Sequence, residues 1–269
     1  MSTDLEIRKD TVVQAASLVG EWLMSVRRQG FSSREAAHGQ LKTDVDKRAE
    51  DMFLEVLVSA FPGEPVLSEE MFEEKNAAWS PPGAFWTVDA LDGTRSYVEG
   101  YDGFCVQAAF IEGGEVRLGV IHEPVARTTY WALAGGNAYA DGPKGRTLLT
   151  AREPAPGWPA RPVFVDSTVP AGAVGKMVAR HNMIMLEIGS IGLKMCRVAQ
   201  GMADVYAKRL TFKLWDSAPG EPILRAAGAK LGLWSGTPVR YDTSQVYWDN
   251  ILAASDSLFT LAAEELRGE

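Results

Sequence analysis

Apolar positions recur at helical spacing in two stretches near the start of the chain. In the first stretch they are Val12, Val13, Ala16, Val19, Trp22, Leu23 and Val26. In the second they are Ala49, Met52, Phe53, Val56, Leu57 and Ala60. Steps of three and four residues place such side chains on one helix face, so each stretch predicts an amphipathic helix. Phe61 and Pro62 end the second helix, and Ser32–Glu35 predicts a turn and a further helix start between the two.

Short β-prone segments bounded by turn residues come next and predict strands. The predicted strands are 65–68, 85–88, 104–111, 116–121 and 128–133. The segment 85–88 is expected to end at Asp89, after a polar loop at 72–83. Two glycines between Glu112 and Glu115 are typical of a β-hairpin turn. This part of the chain therefore predicts a sheet of mostly sequential strands.

A cluster of prolines between Pro154 and Pro162 predicts a boundary. It divides the chain into an N-terminal α+β sub-domain, 1–153, and a C-terminal α/β sub-domain, 163–269, which together form one functional unit. Beyond the boundary the predicted strands are 162–166 and 205–206, and the predicted helices are 174–180, 191–199 and 215–229. Strands and helices mixed in this way favour a layered α/β or α+β architecture.

Composition narrows the classes of function. With 46% hydrophobic and 23% charged residues, the chain has the composition of an ordinary soluble globular protein. No segment is apolar enough to predict a membrane span or a secretory signal. Cys105 and Cys196 lie in apolar segments and are expected to be reduced core residues of a cytoplasmic protein. A net charge of −8 argues against general nucleic-acid binding but allows a small anionic substrate, because bound metal ions can dominate the local field.

Acidic residues recur where a predicted strand or loop meets a turn or a helix. They are Asp46, Glu69, Glu70, Asp89, Asp92 and Asp216. Taken singly, Asp46 and Asp216 can be helix caps, and the paired glutamates can be a solvated loop. Such junctions are also where α/β proteins build ligand sites. Carboxylates that converge repel one another, and proteins usually offset this repulsion with a hard divalent cation. The spacing alone is therefore compatible with a metal site and also with separate helix caps.

Three motifs, taken in order, resemble the signatures of the inositol monophosphatase superfamily, which are magnesium-dependent, lithium-sensitive phosphatases. The motifs are Ser68-Glu69-Glu70, Asp89-x-x-Asp92-Gly93-Thr94 and Trp215-Asp216-x-Ala218. The resemblance extends over residues 40–235 and includes the segments 119–124 and 189–204. It implies a layered αβαβα sandwich of two sub-domains with the site between them, and a homodimer, as is common in that family.

The resemblance also implies roles for individual residues. The metal ligands would be Glu69, Asp89, Asp92, Asp216 and the backbone carbonyl of Leu91, holding two or three Mg²⁺ ions. The catalytic residues would be Asp46, Glu69 and Thr94. The substrate-binding groups would be the backbone N–H groups of Gly93 and Thr94, together with Ser190 and Lys208. Two positions depart from the family pattern, Ala90 and Pro219, and neither removes a ligand.

The implied chemistry accounts for these residue types. A phosphate monoester is a dianion that repels hydroxide, and Mg²⁺ ions offset this charge, activate water and stabilise the leaving alkoxide. Mg²⁺ prefers oxygen ligands, so carboxylates suffice. Asp46 and Thr94 would orient or deprotonate the water. The resemblance also implies transfer directly to water, with no phosphoenzyme. The sequence has neither a Gly-x-Ser-x-Gly elbow nor a P-loop, which argues against a nucleophilic serine and against an NTPase.

The substrate is the open question at this stage. Inositol monophosphate and 3′-phosphoadenosine 5′-phosphate both fit, and another sugar phosphate is an alternative. Lys208 falls where the bisphosphate nucleotidase branch carries a basic residue, although a solvated surface lysine is an equal interpretation. A non-enzymatic regulatory or RNA-associated role is a further alternative. The complete ligand set and the charge of −8 argue against that role.

Overall fold

The computed structural model describes residues 3–30, 33–35, 41–75, 79–80, 83–154, 156–242 and 244–268. Over these residues the helices are α1 (Thr3–Gln29), α2 (Asp44–Ala60), α3 (Glu69–Lys75), α4 (Thr94–Glu99), α5 (Gly172–Arg180), α6 (Ile191–Ala199), α7 (Leu214–Ser217), α8 (Gly220–Ala226) and α9 (Asp256–Arg267). The strands are β1 (Ser33–Glu35), β2 (Leu41–Thr43), β3 (Val66–Ser68), β4 (Ala84–Asp92), β5 (Cys105–Glu112), β6 (Glu115–Glu123), β7 (Thr128–Leu133), β8 (Ala138–Gly142), β9 (Gly145–Leu148), β10 (Val163–Asp166), β11 (Ile184–Glu187), β12 (Val205–Lys213), β13 (Ala229–Leu233) and β14 (Tyr247–Ser255).

The strands form two large sheets. The first has seven strands in the order β3-β4-β5-β6-β7-β8-β9, with β3 parallel to β4 and the other pairs antiparallel. The second has five strands in the order β11-β10-β12-β14-β13. Within it β10 is parallel to both β11 and β12, whereas β14 is antiparallel to its neighbours. The short strands β1 and β2 pair with each other.

Alternation of side chains along β4 shows how the first sheet separates two cores. Trp86, Val88 and Ala90 pack in the core beneath α1 and α2. Phe85 faces the other way, into a core shared with α6, α7 and α8. Both faces of the sheet are therefore covered at β4 to β7, which accounts for strands that are buried along nearly their whole length, whereas β9 is exposed.

Helices α6 and α8 form a middle layer between the two sheets. Leu193 of α6 and Leu224 of α8 belong to one continuous core with residues of both sheets. On the outer face of the second sheet, Phe164 and Leu252 pack with α5 and α9 in a third core. The order of layers is helices, sheet, helices, sheet, helices, which confirms the predicted αβαβα sandwich.

Several local predictions are confirmed and several are wrong. The helices predicted at 174–180 and 191–199 are present as α5 and α6. Ser33–Glu35 does not begin a helix, because it forms β1 and pairs with β2; Ser32 lies outside the described residues. The strand predicted to end at Asp89 continues to Asp92, and part of the predicted 72–83 loop belongs to α3. The single helix predicted over 215–229 is divided into α7 and α8 before β13 begins.

Within the described ranges, no helix combines the length and the apolar character that a bilayer crossing requires.

Candidate active site

Asp89 and Asp92 lie on β4 where its pairing with β5 becomes irregular. Asp89 pairs with Gln107 and Asp92 pairs with Cys105, so three steps along β4 match two along β5. In a regular strand, residues three apart point to opposite faces of the sheet. The extra residue of a bulge removes this opposition. The irregularity therefore allows both carboxylates to reach the same site.

Helix α7 of the middle layer adds a third carboxylate. One oxygen from each of Asp89, Asp92 and Asp216 lies within 4.8 Å of the other two. The three residues are only 4%, 8% and 9% exposed. Asp216 Oδ2 also accepts a hydrogen bond from the backbone N–H of Lys213 at 2.7 Å, which caps the first turn of α7 and fixes the carboxylate.

The electrostatics of this cluster favour a cation. Burial raises the pKa of Asp89 and of Asp216 well above the ordinary range, and repulsion from the neighbouring carboxylates raises both further. Burial also raises the pKa of Asp92, although hydrogen bonds and Lys194 act against that rise. A set of buried oxygen ligands with this excess of negative charge fits Mg²⁺, which prefers carboxylate oxygen.

Asp92 is held by the N-terminus of α6. Its Oδ2 accepts hydrogen bonds from Ser190 Oγ at 2.6 Å and from the Gly192 backbone N–H at 2.8 Å. Ser190 is fully buried and caps α6 by accepting from the Leu193 N–H at 2.9 Å. The Ser190 hydroxyl is thus engaged with Asp92 and contacts the carboxylate cluster through that residue.

Glu69 opens α3 and lies beside the same cluster. Its negative charge further raises the pKa of Asp89 and of Asp216. Glu69 Oε1 forms an ion pair with Lys213 Nζ at 2.6 Å, and the side chain of Glu69 is 22% exposed. The site therefore has one partly exposed acid at its rim and three buried acids beneath it.

Thr94 and Asp46 are in direct contact on the other side of the site. Thr94 Oγ1 donates to Asp46 Oδ1 at 2.8 Å and lies 3.2 Å from the Leu91 carbonyl oxygen. Asp46 is in the first turn of α2 and is 6% exposed. The hydroxyl thus lies between a carboxylate and the carbonyl predicted to bind metal.

Gly93 connects β4 to α4 in a conformation that favours glycine. Its φ is +92°, in the left-handed region. A Cβ at this position would lie 2.6 Å from the Gly103 carbonyl oxygen. Glycine meets both constraints because it has no Cβ, so the chain can turn directly from Asp92 into Thr94.

Lys208 belongs to a buried charge cluster near the carboxyl ends of the parallel strands. Lys208 Nζ and Lys194 Nζ each lie 3.0 Å from Asp166 Oδ1. Lys194 and Asp166 are almost fully buried, whereas the Lys208 side chain is 24% exposed. Burial acts to raise the pKa of Asp166, but the two ammonium groups hold it below its usual value.

Four residues near the site escaped the sequence analysis, namely Glu50, Asp166, Lys194 and Lys213. Three of them had a weak signal. Glu50 lies four residues after Asp46 on the same helix face, and Asp166 ends a predicted strand. Lys194 is a charged residue in an otherwise apolar part of α6. None of these signals distinguishes a buried partner from a surface charge.

Comparison with known proteins agrees with this geometry. A model of the inositol monophosphatase family matches residues 4–267. The 3′(2′),5′-bisphosphate nucleotidase CysQ of Shigella flexneri is 32% identical, covering 86% of this chain and 93% of the relative. The inositol-1-monophosphatase of Bacillus subtilis is 28% identical, covering 84% and 83%. The solved structure of an IMPase from Thermotoga maritima has a TM-score of 0.82 at 22% identity, covering 97% of each chain.

The chain belongs to the inositol monophosphatase family, whose members are metal-dependent phosphatases. It is accordingly an enzyme of the class that hydrolyses phosphate esters. The cluster of Asp89, Asp92 and Asp216 could hold the metal.

Proposed function

We propose that the protein is a Mg²⁺-dependent phosphatase that transfers the phosphoryl group of a small-molecule monoester directly to water. The observation that carries this proposal is the convergence of Asp89, Asp92 and Asp216 within 4.8 Å. Glu69 and the Leu91 carbonyl would complete the ligand set for two or three ions. Bound Mg²⁺ would supply Lewis-acid stabilisation of the phosphoryl oxygens and lower the pKa of water.

The chain's own groups then orient the reaction. Thr94 Oγ1 can donate only one proton, and it donates to Asp46. Its lone pairs remain available to accept from a water molecule, so Asp46 and Thr94 can aim that water and receive its proton. The Gly93–Thr94 turn would present backbone N–H groups to the phosphate. Ser190 would act by holding Asp92, to which it donates at 2.6 Å.

We further propose that the preferred substrate carries a second phosphate, as in adenosine 3′,5′-bisphosphate. Two ammonium groups share one carboxylate oxygen of Asp166, so the cluster keeps one positive charge in excess. Lys208 is its more exposed member. Lys194 links this cluster to the metal site, because side chains on a helix lean toward its N-terminus, where Asp92 is bound. A fixed cation beside the site would attract the distal phosphate of such a substrate.

Inositol monophosphate is the second candidate. The Bacillus subtilis inositol-1-monophosphatase matches most of this chain, although its identity of 28% is below the 32% of the CysQ relative. In this case Lys208 would only stabilise Asp166, and it would contribute nothing to substrate affinity.

Two further features of the biological setting are part of the proposal. We expect a cytoplasmic enzyme, because Cys105 and Cys196 are both free and buried and therefore suit a reducing compartment. We also expect a homodimer, on the basis of the family resemblance. Light scattering coupled to size-exclusion chromatography would measure the oligomeric state.

The decisive experiment measures phosphate release from adenosine 3′,5′-bisphosphate and from inositol 1-phosphate, side by side, with Mg²⁺ and with EDTA. We expect kcat/KM to be higher for the bisphosphate, activity to disappear in EDTA, and excess Mg²⁺ to restore it. Undiminished turnover in EDTA would contradict the metal mechanism. A preference for inositol 1-phosphate would contradict the assignment of Lys208 and leave the metal mechanism in place.

A further inference from the structure

Glu50 is a buried carboxylate that takes no part in the mechanism proposed above. It is 3% exposed and lies on α2, one helical turn after Asp46. Positions four residues apart lie on the same face of a helix, so Glu50 points to the same side of α2 as Asp46. A carboxylate this deeply buried needs several hydrogen-bond donors.

Those donors all come from the segment that carries Glu69. Glu50 Oε1 accepts from Ser68 Oγ at 2.8 Å and from the Met71 backbone N–H at 3.2 Å. Glu50 Oε2 accepts from the Glu70 backbone N–H at 3.0 Å. The contacts involve residues on both sides of Glu69 in the chain. The end of β3 and the first turn of α3 are therefore tied to α2 at one point.

The chemistry of this contact requires a carboxylate. The backbone N–H groups at the first turn of a helix have no acceptor within that helix. Glu50 offers two acceptor oxygens to three donors, and its charge strengthens each bond. A glutamine would place an amide NH₂ against one of these donors. Glutamine is thus nearly identical in shape but cannot satisfy the same set.

We infer that Glu50 is a positioning residue for Glu69, holding the start of α3 so that the Glu69 carboxylate faces the cluster of Asp89, Asp92 and Asp216. This inference rests on the proposed metal site. Asp46 is also on α2. This one helix therefore fixes both the carboxylate that orients water and the start of α3, which carries the proposed metal ligand Glu69. The distance between Asp46 and the start of α3 would then depend on the one helical turn that separates Asp46 from Glu50.

The test is the variant Glu50→Gln, with Mg²⁺ binding measured as the rise in melting temperature during a Mg²⁺ titration. This measurement needs no substrate. Changing a group that orients a metal ligand typically costs 10- to 100-fold in metal affinity. We expect Glu50→Gln to need about 10-fold more Mg²⁺, or more, than the wild type for the same rise in melting temperature.

The matched control is Glu123→Gln, which alters another buried glutamate that accepts from Arg197 Nη2 at 2.6 Å and from Tyr130 OH at 3.0 Å. It should lower the melting temperature without changing the Mg²⁺ concentration needed for a given rise. Glu50→Gln with wild-type Mg²⁺ affinity would overturn the inference. If Glu50→Gln does not fold, Ser68→Ala decides: weaker Mg²⁺ binding supports the inference and unchanged binding overturns it. A wild-type protein with no response to Mg²⁺ would overturn the proposed function itself.

Discussion

Thr94 donates its hydroxyl hydrogen to Asp46 across 2.8 Å, although 48 residues separate them in the chain. Asp46 is on α2, in the outer helix layer, and Thr94 begins α4, two residues after β4 ends in the adjoining sheet. The contact therefore joins two layers at the site. Its polarity leaves the lone pairs of the Thr94 oxygen free to accept a hydrogen bond from water, which is the geometry a water-orienting pair requires.

Removing this hydroxyl should impair the chemical step. Groups that orient or deprotonate a nucleophile contribute about 10²- to 10⁴-fold, so we expect Thr94→Ala to lower kcat by about 100-fold or more. Thr94→Ser is the matched control, because it keeps the hydroxyl, and it should stay within about tenfold of the wild type. Steady-state kinetics at saturating Mg²⁺ would measure both. Equal kcat values for the alanine variant and the wild type would contradict the assigned role.

Neutralising the buried Asp89 should raise the melting temperature relative to the wild type without metal and lower it with metal. Burial raises the pKa of Asp89, so without metal its ionisation opposes folding as the pH rises above the carboxyl's normal pKa. We expect Asp89→Asn in EDTA at pH 8 to melt about 2–4 °C higher than the wild type, or about 1 kcal/mol for a domain of this size. Saturating Mg²⁺ should reverse that order and leave the variant inactive.

Differential scanning calorimetry in EDTA and in Mg²⁺ would check this reversal. The control Asp256→Asn removes an exposed carboxylate on α9, in the outermost layer, and should behave as the wild type in both conditions. If Mg²⁺ stabilised Asp89→Asn as much as the wild type, Asp89 would not be a metal ligand.

Short-range patterns in the sequence predicted a layered α/β or α+β architecture and singled out the acidic motifs, and the resemblance of those motifs to a family implied the αβαβα layers and the metal site. Apolar periodicity identified α1 and α2. The bulge that brings these two carboxylates together depends on pairing with β5, where Asp89 opposes Gln107. Strand register is a property of two segments, so the pattern of one strand does not specify it.

The residues that escaped prediction are those whose role depends on distant partners. Glu50 contacts the segment 68–71, and Lys213 contacts Glu69 across 144 positions. In the sequence each is an ordinary charged residue, for which a solvated position is the usual expectation. Ser33–Glu35 was mistaken for a helix start because its pairing with β2 is likewise a contact outside the local pattern.

The turn at Gly93 should tolerate no side chain. Its φ of +92° strains any other residue, and a Cβ would lie 2.6 Å from the Gly103 carbonyl oxygen. Gly63 has a similar φ of +83° but no atom within 4 Å of the same position. We therefore expect Gly63→Ala to cost only about 1 kcal/mol and to keep full activity. Gly93→Ala should cost more and displace Thr94. The free energy of unfolding in urea and kcat would distinguish the two variants. Equal effects of Gly63→Ala and Gly93→Ala would contradict the predicted clash with the Gly103 carbonyl oxygen.

Lys208 should distinguish substrates with a second phosphate from those without one. A hydrogen bond to a charged group contributes about 1.5–3 kcal/mol, so Lys208→Met should raise KM for adenosine 3′,5′-bisphosphate by about 10-fold or more. KM for inositol 1-phosphate should not change. Lys230→Met is the control, since Lys230 lies on the edge strand β13 and its side chain is 52% exposed. Equal losses on both substrates would show that Lys208 acts only through Asp166.

His122 should make the protein less stable in mild acid. It is 7% exposed, and its Nδ1 lies 2.8 Å from Thr129 Oγ1. Burial lowers the pKa of His122 to about 4, from an ordinary value of 6.5. Below pH 6.5 the unfolded chain therefore takes up a proton that the folded protein resists, and stability falls until the pH reaches the folded-state pKa. At about 1.4 kcal/mol per pH unit, His122 should remove about 2 kcal/mol of the free energy of unfolding between pH 7 and pH 5.

His122→Gln lacks this titration. Urea unfolding at both pH values should therefore show a loss of stability that is smaller for the variant by that amount. Identical losses would mean that His122 is protonated in the folded protein as readily as in the unfolded chain.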